Sequence, residues 1–122
     1  MQEGKKKKFR TILLADSNSS TNDVMRRYIK NEKLAEEIIS LENRNEQEEI
    51  LRTGAVDVLV TGLKYKGFGI VKFAKELSPK TKIVICSGSV NSEDLAREIQ
   101  PNVFIKKPVS MGEFIKAVRS LL

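Results

Sequence analysis

Five short apolar runs, each five or six residues long, constrain this chain more than anything else in it. They cover residues 11–15, 37–41, 56–61, 82–87 and 102–106. Each is too short for a helix. Each is continuous rather than alternating, the pattern of a strand covered on both faces. The segments between them carry helical spacing instead. Residues 22–33 place Val24, Met25, Tyr28 and Ile29 on one side of a helix. Asn43 and Glu46 have capping-box spacing, and Gly54 stands where that second helix should end. Residues 62–69 hold three glycines and are expected to form a loop. Ile70, Phe73, Ala74 and Leu77 then repeat at helical spacing before Pro79. Residues 92–99 predict a short helix burying Leu95 and Ile99. Ser110 and Glu113 form a second capping box, opening a last helix with Phe114, Ile115, Val118 and Leu121 or Leu122 inside.

Strands that alternate with helices call for a parallel sheet, because each parallel return needs a crossover. The 122 residues suffice for one such domain. Right-handed crossovers put helices on both faces, so the expected fold is α/β, a three-layer doubly wound five-stranded parallel sheet. The domain is expected over residues 10–122, with residues 1–9 a flexible basic tail. In such folds the functional crevice lies beyond the carboxyl ends of the strands. The residues there are Asp16 and Ser17, then 62–65, then Ser87 and Gly88, then Lys107 and Pro108.

Composition narrows the chemistry that crevice can support. The chain has no histidine, which removes histidine acid–base catalysis and histidine-ligated metals. One cysteine excludes an internal disulfide. No apolar stretch approaches the roughly 20 residues of a membrane helix. The N-terminal lysines precede no apolar signal region, and a cytoplasmic location is expected. The formal net charge is +6, but Lys5, Lys6, Lys7, Lys8 and Arg10 stand against Glu3 alone in the first ten residues. The domain itself is therefore nearer neutrality, and with few aromatics it lacks the character of a nucleic-acid binder.

The order of elements and the strand-end residues resemble the receiver domain of bacterial response regulators, over residues 10–122. The resemblance implies the flavodoxin-like strand order 2-1-3-4-5. It implies a family that accepts a phosphoryl group on an aspartate after strand 3, beside Mg²⁺ held by an acidic pair after strand 1. Residues 12–17, Ile-Leu-Leu-Ala-Asp-Ser, resemble the strand 1 motif. Asp16 matches the first acid and Ser17 replaces the second. Residues 57–62, Asp-Val-Leu-Val-Thr-Gly, resemble the strand 3 motif, with Gly62 at the phosphoacceptor position. Lys64 falls where the family lends a backbone carbonyl to the metal. Gly67 matches the loop glycine, and Lys66 replaces the proline before it. Residues 83–88 place Ser87 at the switch hydroxyl. Residues 104–108, Phe-Ile-Lys-Lys-Pro, match the switch aromatic with Phe104, the strand 5 lysine with Lys107 and the cis-proline with Pro108.

The departures carry the functional expectation. Acyl phosphate formation needs a carboxylate nucleophile, and Gly62 has no side chain. Asp57 lies five residues earlier, at the far end of a strand about 17 Å long. Mg²⁺ takes octahedral oxygen ligands. Of the family's three carboxylates only Asp16 remains, beside Lys64 and Lys107. The chain is thus expected to be a pseudo-receiver, with no metal, no cofactor and no enzymatic activity.

Several residues keep two readings. Lys107 either pairs with Asp16 or joins Ser87 in an anion site. Ser87 is either a switch hydroxyl or satisfied by nearby backbone. Cys86 is either an inert core thiol or a redox sensor. Phe104 is either a static or a switching aromatic. Ser17 and residues 19–21 are either helix-capping or kinase targets.

The first functional expectation is a non-catalytic module that binds a signalling protein: a kinase, an output domain or a motor component. The resemblance places that contact on helix 4, strand 5 and helix 5, with Phe104, Lys106, Lys116 and Arg119. A homodimer through the same face is a further expectation. The alternative is a small-molecule or anion sensor using the emptied pocket of Gly62, Ser87 and Lys107. A flavin enzyme would need a phosphate-cradling loop, and residues 67–69 are too short for one. Nucleic-acid binding through the lysine tail would show a steep salt dependence.

Overall fold

The computed structural model describes residues 10–16, 18–62, 65–88 and 92–122, apart from the side chains at 65–68, 92, 93 and 95. The expected tail, Ser17 and Lys64 lie outside the described residues, as does the Leu95 side chain. The chain runs β1 (Thr11–Leu14), α1 (Ser19–Asn31), β2 (Glu37–Ser40), α2 (Arg44–Arg52), β3 (Val58–Thr61), α3 (Tyr65–Leu77), β4 (Lys82–Ser87), α4 (Ser92–Ile99), β5 (Val103–Lys106) and α5 (Met111–Leu121). All strand pairs are parallel, in the order β2-β1-β3-β4-β5.

Register explains why the strand sequences are apolar throughout. Leu13 pairs with Leu59 and Leu59 with Ile83, so alternate residues form rows across the sheet. Ile12, Leu14, Val58, Val60, Val84, Cys86 and Ile105 face one core, closed by Met25 and Ile29 of α1 and Phe114 and Val118 of α5. Leu13, Leu59, Ile83 and Ile85 face the other, closed by Leu51 of α2, Ile70 and Ala74 of α3 and Ala96 of α4. Two cores on opposite faces of one sheet make the three layers.

Four local expectations are corrected. Not every strand is buried on both faces. β1 and β3 are buried throughout, whereas β2 and β5 are only partly covered, because they are the sheet edges. The α1 helix begins at Ser19 rather than residue 22, and its cap is Asn18 rather than a serine or threonine. The Asn18 Oδ1 accepts from the Ser20 and Thr21 N–H groups at 2.8 and 3.2 Å. Val24 and Leu77, expected on buried faces, are 40 % and 47 % exposed.

The expected loop over 62–69 is also shorter, since α3 starts at Tyr65. Burial of Ile70, Val71 and Ala74 outweighs the poor helix propensity of the glycines. Gly69 has a packing reason: a Cβ there would lie 2.9 Å from the Arg44 guanidinium of α2. The other caps are as expected. Asn43 accepts from the Glu46 N–H at 3.0 Å and Ser110 from the Glu113 N–H at 3.1 Å, while Gly54 closes α2 with φ +75°.

Candidate functional site

The carboxyl ends of β1, β3, β4 and the β5–α5 connection converge above the sheet. Asp16 leaves β1 and is almost fully buried, at 4 % exposure. Its backbone is held by one side chain. The Asp16 N–H donates to Asn22 Oδ1 at 3.1 Å, and Asn22 Nδ2 donates back to the Asp16 carbonyl at 3.0 Å. This reciprocal pair, formed across one turn of chain, fixes where the Asp16 carboxylate points. Its Oδ1 accepts from the Asn18 N–H at 2.9 Å, and its Oδ2 accepts from Lys107 Nζ at 3.3 Å.

Lys107 reaches Asp16 from the far side of the sheet. Its N–H donates to the Ser87 carbonyl at 3.0 Å, continuing the β4–β5 ladder one step beyond the strands. Its peptide bond to Pro108 is cis, as the resemblance implied. Gly88 adjoins the lysine stem: a Cβ at Gly88 would sit 3.2 Å from Lys107 Cβ.

Gly62 follows β3 directly and supplies no nucleophile. The Asp16 carboxylate stands beside the place where a side chain at 62 would begin. A Cβ at Gly62 would lie 3.0 Å from Asp16 Oδ2 and 3.6 Å from the Cys86 carbonyl. The 3.0 Å spacing is tighter than ordinary van der Waals contact. Asp57 is occupied at the opposite end of the sheet, where its Oδ2 accepts from the Thr11 N–H at 2.8 Å. Among the described residues, no three carboxylates or thiols gather as metal ligands.

Asp16, Gly62, Ser87 and Lys107 are therefore brought together, with Pro108 next in the chain. Ser87 is 5 % exposed at the end of β4. Cys86, one residue earlier, faces the α1–α5 core, and burial pushes its thiol up to about 12 despite the nearby Lys107 charge. At neutral pH it is a protonated, enclosed thiol without the thiolate character of a redox sensor.

The four residues expected on one contact face are distributed over two grooves and the end of β5. Phe104 packs among the α2–α3–α4 core and lines a groove of about 450 Å³ with Arg97, Gln100 and Pro101. Lys106 is exposed at the end of β5. Lys116 and Arg119 line a separate groove of about 540 Å³ on α5, closed by Glu32 of α1. Arg119 Nη2 donates to Glu32 Oε1 at 3.1 Å. Sequence reasoning also missed Asn18 and Asn22 as the scaffold of Asp16. The signal was one asparagine inside the 16–21 turn cluster and a second at the expected helix start.

No family model and no curated protein matches the chain. Solved structures do. A response regulator receiver domain protein from Clostridium thermocellum matches with a TM-score of 0.78 at 19 % identity, covering 92 % of this chain and 93 % of that one. A CheY-like receiver domain protein from Methanospirillum hungatei matches with a TM-score of 0.79 at 16 % identity, covering 91 % of each. A response regulator receiver protein from Sinorhizobium medicae matches with a TM-score of 0.77 at 24 % identity, covering 93 % and 94 %. At these identities the likeness is one of fold: the chain has the five-stranded architecture of receiver domains. Among the described residues no helix is long and apolar enough to cross a membrane.

Proposed function

We propose that this chain is a pseudo-receiver: a signalling domain that works by protein–protein contact and takes no phosphoryl group at the usual position. One observation carries the reading. The position that would hold the nucleophile is Gly62, and a side chain there would crowd the Asp16 carboxylate, already bonded to Lys107. A phosphoryl acceptor must offer a carboxylate oxygen in line with the donor phosphorus, and no carboxylate at position 62 does so here. The acid that remains is held by Asn18 and Lys107 rather than free to share a metal.

The partner is a signalling protein such as a kinase, an output domain or a motor component. The contact draws on α4, β5 and α5. A domain of this kind has no catalytic step of its own.

The test is an amide NMR titration of the chain with Mg²⁺ and then beryllofluoride, which mimics a phosphoryl group on aspartate. Silence at Asp16, Gly62, Ser87 and Lys107 is the expected result. Saturable shifts at millimolar metal, moving again with the mimic, would show that another carboxylate serves as acceptor.

A further inference from the structure

One flank of α5 has features the domain's own packing does not explain. Gly112 is the second residue of that helix, and a Cβ built there meets nothing within 4 Å. Glycine is a poorer helix former than alanine, so the missing side chain weakens the helix without relieving any internal contact. Gly69 is the contrast within the same fold, where the Arg44 guanidinium excludes a Cβ. Nor does Gly112 have the positive φ that accounts for Gly54.

Gly112 lies on the groove of about 540 Å³ beside Met111, Ile115, Lys116 and Arg119. Met111, at 49 %, is the most exposed large apolar side chain among the described residues. Bare helix backbone next to an exposed apolar side chain lets a second backbone approach closely. The charges select what approaches. Two bases line the groove against one acid; Glu32 is bonded to Arg119, and Lys116 leaves the groove net positive. A second copy would bring the same net positive charge to the groove, which disfavours self-pairing.

We propose that this flank of α5 docks an acidic amphipathic helix of another protein. The partner's apolar side chains lie along the exposed Met111, its backbone crosses near Gly112, and its carboxylates face Lys116 and Arg119. The inference rests on the reading that the domain acts by contact, and it narrows that contact to one flank and one partner chemistry.

The experiment uses the full chain, ¹⁵N-labelled, and two synthetic amphipathic peptides of about 15 residues, the length at which isolated helices become stable. Both carry the same leucine stripe. One is flanked by glutamates and the other by lysines. Each is titrated with and without Mg²⁺ and beryllofluoride. The glutamate peptide is expected to shift the amides of Met111, Gly112, Ile115, Lys116 and Arg119 saturably without beryllofluoride, and the lysine peptide is not. Gly112→Leu is expected to weaken binding at least about tenfold, by filling the approach, while its melting temperature stays level or rises. Lys116→Glu is expected to weaken it by a similar factor at low salt.

Four results would overturn the docking surface: no saturable shift with the glutamate peptide, equal shifts with the lysine peptide, undiminished binding to a folded Gly112→Leu chain, or self-association of the free chain through these residues. Binding at this flank that requires beryllofluoride would instead overturn the phosphorylation-independent reading and support the surface.

Discussion

Replacing Lys107 with methionine removes the cation beside Asp16 while keeping most of the stem volume. The cost can be worked from the site. The Asp16 side chain is 5 % exposed and the Lys107 side chain 34 %, with 3.3 Å between the charged atoms. Breaking a fully buried pair by removing one partner costs about 3–5 kcal/mol, because the other charge is left buried and uncompensated. Two features reduce that figure here. Asp16 keeps its 2.9 Å bond from the Asn18 N–H, and the lysine retains about a third of its surface in water, where solvent screens the pair. About 2 kcal/mol is the resulting expectation. The mirror variant, Asp16→Asn, should cost less, about 1 kcal/mol. The amide oxygen still accepts from Asn18, and the released ammonium can extend into solvent. The double variant should cost less than the sum of the two singles. Urea unfolding with an unchanged m-value measures all three. The reasoning fails if Lys107→Met lies within about 0.5 kcal/mol of the parent, or if Asp16→Asn proves the more damaging change.

Gly62→Ala should cost about 1–2 kcal/mol, because its Cβ would lie 3.0 Å from Asp16 Oδ2, and adding Asp16→Ala should remove most of that cost in urea melts. Asn18→Ala should cost about 1 kcal/mol while Ser19→Ala stays near zero, a difference read by thermal denaturation that separates the true cap of α1 from its first-turn serine. Cys86 makes a pH prediction. Its folded thiol is raised from 9.0 to about 12, so its contribution is complete below pH 9.0 and declines as pH rises toward about 12, by up to about 1.4 kcal/mol per pH unit. Stability measured across that window should fall more steeply for the parent than for Cys86→Ala, and equal slopes would contradict the burial argument.

Local pattern was enough for the architecture because period and punctuation are local properties. The continuous runs at 11–15 and 56–61 read as covered strands, and they contain the central β1 and β3. The runs at 37–41 and 102–106 have a similar look, yet they form edges. Which strand ends a sheet depends on pairing order, which a single run does not encode. The helical faces were drawn one residue too wide at Val24 and Leu77, since the breadth of a buried stripe is decided by the neighbour packed against it. The early start of α3 has the same origin. Tertiary burial of Ile70, Val71 and Ala74 overrode a glycine-rich stretch that reads locally as a loop.

The candidate site divides along the same line. Residue types placed at strand ends are visible in one dimension: a glycine after β3, a lone acid after β1 and a Lys-Pro after β5. The deductions that Gly62 has no nucleophile and that Asp57 stands too far away need only a residue type and a rise per residue. Which groups touch needs the folded sheet. Asp16 and Lys107 are 91 positions apart and meet only because β1, β3, β4 and β5 align their carboxyl ends in one register. The crowding of Gly62 by Asp16 depends on where the Asn22 pair aims that carboxylate. That Phe104 packs on one core while α5 closes the other depends on the sheet having two faces. Spacing along a chain specifies which side of its own element a residue occupies. Long-range register and packing determine what waits on that side, and the chemistry of this site is made of those contacts.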